Sequence, residues 1–122
     1  MTRPVLDATS LHPAIRDKVA NLHRDLLDQV QTAVAHHAVV VIGMSGNPFV
    51  AKARKTLARA EVPFQYLAFG SYISQWRRRN ALKMWTGWPT LPMVFVRGML
   101  VGGADDLSRL MATGELKELL AK

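Results

Sequence analysis

The sequence predicts an α/β fold in which a four-stranded mixed sheet is flanked by helices and preceded by an extended N-terminal helix. Three observations lead there. The run Ala38-Val39-Val40-Val41-Ile42-Gly43 is unbroken, apolar and β-branched, the composition of a central strand buried on both faces. Stretches of helical periodicity lie on either side of it, which makes a parallel crossover to a later strand the natural continuation. Further on, Met93–Val96 and Met99–Val101 flank Arg97-Gly98, the pattern of a two-residue hairpin. At 122 residues the chain is expected to form one domain over 1–122, with 1–37 as N-terminal segment and helix and 38–122 as the core.

The elements follow in order. From Pro13 the apolar residues Ile15, Val19, Leu22, Leu26, Leu27, Val30 and Val34 recur at three- and four-residue steps, which predicts one long amphipathic helix packing a single face on the core. Ser10, Leu11 and His12 lead into it, and Pro13 suits its first turn, where a missing N–H costs little. After the 38–43 strand, Asn47-Pro48 is a strong helix start, because Asn caps well and Pro is preorganised for the first helical position. That helix is expected from about Pro48 to about Ala60. Glu61–Phe69 alternates well enough for a second strand, and Pro63 argues for an edge position. A helix over Ser71–Trp85 would carry Tyr72, Ile73, Trp76, Leu82 and Trp85 inward, before Gly87, Trp88, Pro89 and Pro92 break the pattern. In the hairpin, Gly98 supplies a positive φ. Two short helices close the chain, the first with Asp105 and Asp106 in its first turn and Leu107, Leu110 and Met111 inward, the second carrying Leu116, Leu119 and Leu120 beyond Gly114.

Composition narrows the chemistry. The chain is 49% hydrophobic and 20% charged, ordinary values for a globular fold. It contains no cysteine, which excludes disulfides, thiolate catalysis by its own side chains and cysteine-ligated iron–sulfur clusters. Sixteen basic against nine acidic residues give a net charge of +7, a field that favours anionic partners. The opening residues lack the apolar core of a secretory signal, and no stretch approaches the ~18 apolar residues of a membrane span. A cytoplasmic protein without a membrane partner is therefore expected. The four histidines show no metal-ligand spacing, and no metal site is expected.

Three segments carry a resemblance to a known family: VVVIGMSGNPFVAKARKTL at 39–57, LKMWTGWPTLPMVFV at 82–96 and RGMLVGGADDL at 97–107. In this order they resemble glutaredoxins, and with the closing helix they span nearly all of the chain beyond about Ala38. The resemblance implies the thioredoxin-like (glutaredoxin) fold and a family label of disulfide oxidoreductase. It also implies a glutathione groove. Matched on its proline, the family's active-site segment falls on Asn47-Pro48-Phe49-Val50, so that Asn47 stands at the nucleophilic cysteine and Val50 at the second one. No catalytic residue is left, and disulfide reduction is expected to be absent. By the same resemblance the ligand-binding residues are Phe49, Arg79, Thr90, Leu91, Pro92, Gly102, Gly103, Ala104, Asp105 and Asp106. Leu91 before a cis-proline would take the cysteinyl part of glutathione, Gly102–Asp106 the γ-glutamyl end, and Arg79 the glycyl carboxylate. The family's lysine ahead of the active-site segment is Met44 here, so one charge contact to the peptide is missing.

Each of these residues also has a plainer reading. Asn47 is an excellent N-cap in its own right, and Pro92, Gly102, Gly103 and Asp105 serve turns and helix starts in any fold. Arg77-Arg78-Arg79 beside Trp76 is compatible with nucleic acid, but a solvated helix face accounts for it more simply. Lys52, Lys55 and Arg59 also share a solvated helical face, and the Trp and Met residues are first of all packing residues. The expected function is a redox-inactive domain binding glutathione or another thiol peptide, or a protein partner, in the family's groove. Two alternatives remain: a transferase in which Ser45 and Asn47 support the thiolate of bound glutathione, and a basic scaffold with no small ligand.

Overall fold

The computed structural model describes residues 2–122 and contains a four-stranded sheet with helices on both faces. A short 3₁₀ turn at Ala8–Ser10 precedes α1 (Pro13–Asn21) and α2 (Arg24–His36); β1 (Val39–Gly43), α3 (Pro48–Arg59) and β2 (Gln65–Ala68) follow. The second half comprises α4 (Trp76–Thr86), β3 (Met93–Val96), β4 (Met99–Gly102), α5 (Ala104–Thr113) and α6 (Glu115–Leu120). Strand order is β2-β1-β3-β4, with β1 and β2 parallel and the other pairs antiparallel. The mixed sheet and the edge position of β2 agree with the sequence reading.

The fully buried β1 organises two cores. Val40 and Ile42 face Leu26 and Val30 of α2, Leu82 of α4 and Met93 and Phe95 of β3. Val39 and Val41 face Ala53 and Leu57 of α3, Leu107 of α5 and Leu116 of α6. This alternation follows from the two-residue period of a strand. Each large side chain removed from water contributes roughly 1.5–3 kcal/mol, so the apolar run stabilises both helix layers at once. The hairpin turn takes positive φ at both Arg97 and Gly98, as a two-residue turn matching the sheet twist requires. Arg97 is held there by its N–H on Ala38 O at 2.7 Å and its guanidinium on Leu120 O at 2.8 Å.

Three expectations are corrected. The long N-terminal helix is two helices, because His23 adopts a left-handed conformation (φ 47°) between them. Only α2 packs on the core; α1 buries no residue, and Ile15, Val19 and Leu22 remain 42–51% exposed. The second strand is shorter than predicted: Val62 N–H bonds back to Leu57 O, so residues before Gln65 belong to the turn that ends α3. The helix expected from Ser71 begins only at Trp76. Ser71 and Ser74 instead form an isolated bridge, and left-handed Gly70 and Gln75 bracket this loop. Tyr72, Ile73 and Trp76 consequently face outward, Trp85 stacks on Phe95 at the core's margin, and of the five residues expected inward only Leu82 is buried.

Gly43 shows how tightly the end of β1 meets α3. A Cβ at this position would lie 2.6 Å from Val50 Cγ1 and 3.0 Å from the Tyr66 ring. Val50 is buried and β-branched and has little freedom to move aside. Gly43→Ala is expected to destabilise the fold by about 1–3 kcal/mol through overpacking. Urea denaturation of the two proteins measures this directly, and equal midpoints would contradict the packing described.

Candidate functional site

Sheet register brings three loops to one end of the sheet. Ile42 at the end of β1 pairs with Met93 at the start of β3, and Val94 pairs with Gly102 at the end of β4. The loop entering α3, the segment before β3 and the start of α5 are therefore neighbours. A cleft of about 250 Å³ lies among them, lined by Phe49, Trp88, Thr90, Leu91, Pro92, Gly103, Ala104, Asp105 and Asp106. All of these except Trp88 were singled out from the sequence. The Leu91–Pro92 peptide bond is cis.

The start of α3 holds no nucleophile. Asn47 Oδ1 accepts hydrogen bonds from Phe49 N–H at 2.9 Å and Val50 N–H at 3.2 Å. These N-terminal amides would otherwise be free to stabilise an anion. Asn47 is thus an N-cap, and Val50 is a core residue only 2% exposed. Phe49 between them is 56% exposed and lines the cleft. Ser45 is also engaged, its hydroxyl donating to Gly70 O at 3.0 Å. The two groups that a transferase mechanism would use toward a thiolate are tied to the backbone.

The start of α5 divides its two acids between different tasks. Asp106 Oδ2 accepts from Gly103 N–H at 2.9 Å, and Oδ1 pairs with Arg109 at 2.7 Å. Gly102 permits this arrangement: its φ is +114°, and a Cβ there would come within 2.5 Å of Asp106 Oδ2. Gly102 lies buried beneath the cleft and does not line it. Asp105 points outward and meets Lys52 of α3 at 2.7 Å. The hydrogen bond and charge of Lys52 hold its carboxyl below the ordinary value, with a smaller contribution from Arg109.

One expected peptide contact, Arg79, does not line this cleft. Arg79 is 6% exposed, and its guanidinium donates to Phe69 O at 2.9 Å and Ser74 O at 2.5 Å, bracing the loop before α4. Burial beneath that loop takes it away from the cleft where the resemblance put it. Met44 is also buried and presents no charge. Trp88, read from the sequence as a packing residue, additionally forms part of the cleft wall. Its indole Nε1 is buried without a hydrogen-bond partner, close to where a side chain on Gly103 would begin. Such a donor costs free energy unless something accepts from it. The Trp-Pro-Thr-x-Pro segment was the available sequence signal, but nothing in it distinguishes a wall residue from a core one.

Among the described residues no group of three or more His, Asp or Glu side chains is arranged to hold a metal ion. None of the described helices is long and apolar enough to cross a membrane.

The Lys52–Asp105 pair ties α3 to α5 beside the cleft. Because the folded-state pKa of Asp105 is depressed, its stabilising contribution is present above the ordinary value of 3.8 and is lost as pH falls through the lower folded value. Side-chain carbon NMR is expected to show Asp105 titrating below 3.8, and Lys52→Met should bring the midpoint back toward it. An unchanged midpoint in that variant would contradict the pairing.

No family model matches the sequence. Individual relatives do. A glutaredoxin-like protein of Dictyostelium discoideum is 43% identical over 108 residues, covering 88% of each chain. Glutaredoxin 4 of Haemophilus influenzae is 30% identical over 104 residues, 80% of this chain and 94% of its own. Among solved structures, wheat glutaredoxin superposes with a TM-score of 0.66 at 30% identity, covering 80% of this chain and 90% of that one. A buckwheat glutaredoxin–glutathione complex reaches 0.68 at 22% identity, covering 81% and 90%, a likeness of fold.

Proposed function

The chain belongs to the glutaredoxin family, and from that premise we propose that it is a redox-inactive, cytoplasmic member that binds glutathione or a similar thiol peptide without reacting with it. One observation carries this reading. Residues from three separate segments, matched to the family by sequence, line a single cleft, while the position of the nucleophile is filled by a capping asparagine. A mixed disulfide cannot form on a chain with no sulfhydryl group.

The residues fit part of a glutathione molecule. The main chain at Leu91 would take the cysteinyl unit, the first amides of α5 the γ-glutamyl carboxylate, and Asp105 its ammonium. Lys52 already holds Asp105, so the ammonium must compete with it. Neither Met44 nor Arg79 offers a charge to the glycyl end. Binding is accordingly expected to be weak and anchored at one end. The transferase alternative loses support because Ser45 and Asn47 Oδ1 are occupied by backbone groups.

Titration of the nitrogen-15-labelled protein with reduced glutathione tests the reading. Saturable shifts are expected at the Leu91, Gly103 and Asp105 amides, and ligand at 100 times Kd would stabilise the fold by about 2.7 kcal/mol. Gly103→Ala provides the control. Its φ of −99° suits any residue, and a Cβ would have no neighbour closer than 3.6 Å, so stability should change by less than about 0.5 kcal/mol. The added methyl group should nevertheless weaken binding by narrowing the cleft. An absence of shifts at saturating glutathione, or equal binding by Gly103→Ala, would refute the assignment.

Asn47→Cys tests the missing chemistry. Removing the carboxamide frees the Phe49 and Val50 amides to stabilise a thiolate, which should lower the new thiol below the usual ~8.5. Glutathione-dependent reduction of a mixed disulfide is expected to appear, measured against the unmodified chain as baseline. A cysteine that stays fully protonated at neutral pH and inactive would show that the groove no longer supports the reaction.

A further inference from the structure

The opposite flank of the α3 start carries a second surface, independent of the glutathione reading. A shallow cleft of about 460 Å³ runs from the 44–48 loop to Arg54 and Tyr66. The loop before α4 adjoins it, because Ser45 bonds Gly70 O through both its N–H and its hydroxyl, and a Cβ on Gly46 would touch the Tyr72 ring at 4.0 Å. That loop displays Tyr72 at 64%, Ile73 at 93% and Trp76 at 52% exposure. Isolated exposed apolar residues are commonplace, whereas a cluster within five positions beside a cleft marks an interaction site.

Charge selects the kind of partner. From residue 29 to residue 104 the chain holds nine lysines and arginines and a single acid, Glu61. Several of these cations have internal partners: Arg78 pairs with Asp25, Lys52 with Asp105, and Arg79 with backbone carbonyls. Arg54 and Arg77 have no carboxylate partner among the described residues; each lies over an aromatic ring, Arg54 on Tyr66 at 4.0 Å and Arg77 on Trp76 at 5.0 Å. A ring beneath the guanidinium restrains its position without taking up its N–H donors, which a carboxylate can then engage. Each guanidinium also occupies a face of Tyr66 or Trp76 on which a base would stack, which favours protein carboxylates over single-stranded RNA at these two rings.

We propose that this flank docks an acidic segment of a protein partner, with carboxylates on Arg54 and Arg77 and an apolar side chain against Tyr72 and Ile73. Tyr, Trp and Arg are the residues enriched at such contacts.

Fluorescence anisotropy with a labelled dodecapeptide alternating Asp and Glu with Leu and Phe tests this. The intact protein should bind it saturably and lose affinity as salt rises. The Arg54→Gln, Arg77→Gln double variant should bind about tenfold more weakly or worse, and Ile73→Ser should also weaken binding without abolishing the salt dependence. All three side chains are exposed, so thermal unfolding should be unchanged. The glutathione-induced shifts of the double variant should match those of the parent, which separates this surface from the cleft across the helix. Three results would overturn the proposal: no binding of the acidic peptide, equal binding of its Asn/Gln counterpart, or preferential, arginine-dependent binding of oligouridylate.

Discussion

Burying one strand on both faces imposes most of this architecture. β1 has no polar side, so water must be excluded from Val40 and Ile42 by α2 and α4 and from Val39 and Val41 by α3, α5 and α6. Once those helices are in place, the loops that connect them to the sheet have little choice of position. The α3 entrance lies where β1 ends, and antiparallel pairing brings the start of β3 and the end of β4 to the same edge. The cleft is a by-product of that arrangement before any ligand is considered.

The α3 entrance also shows how a helix start can be closed by its own cap. A helix start has unpaired amides that attract negative charge. A family with cysteine there can use them to stabilise a thiolate. Asn47 instead supplies a neutral oxygen to two of them, which satisfies the donors continuously and favours the helix by about 1 kcal/mol over alanine. Val50 fills the space against Gly43. Asn47 and Val50 thus serve capping and packing, and neither lines the cleft beside Leu91, Pro92 and Gly103.

Legibility in the sequence followed the range of the forces involved. The β-branched run, the Asn-Pro helix start and the Arg-Gly hairpin turn are local signals, and the structure places their elements within a few residues of the expected bounds. The resemblance then located most of the cleft, since motif residues at 47–50, 90–92 and 102–106 are held by the same strands in a related fold. What escaped was decided over longer distances. Apolar spacing continued through Leu22 into Leu26, yet only the second part found a sheet face to cover. The helix expected from Ser71 rests on aromatic residues whose spacing suits a helix but whose loop is anchored by Ser45 and Arg79. The sequence position of Arg79 matched a ligand contact, whereas its burial against two carbonyls depends on where Phe69 and Ser74 come to rest.

The unburied α1 has a consequence for how this chain can vary. With His23 turning the backbone between them, α2 can keep Leu26 and Val30 in the core whatever precedes it. Apart from Arg3, which reaches the Met84 and Trp85 carbonyls at the end of α4, changes ahead of the joint would scarcely register in the sheet, whereas a single methyl group at Gly43 would. The amino-terminal segment is thus the part of the molecule where new attachments can be tried at least risk to the fold.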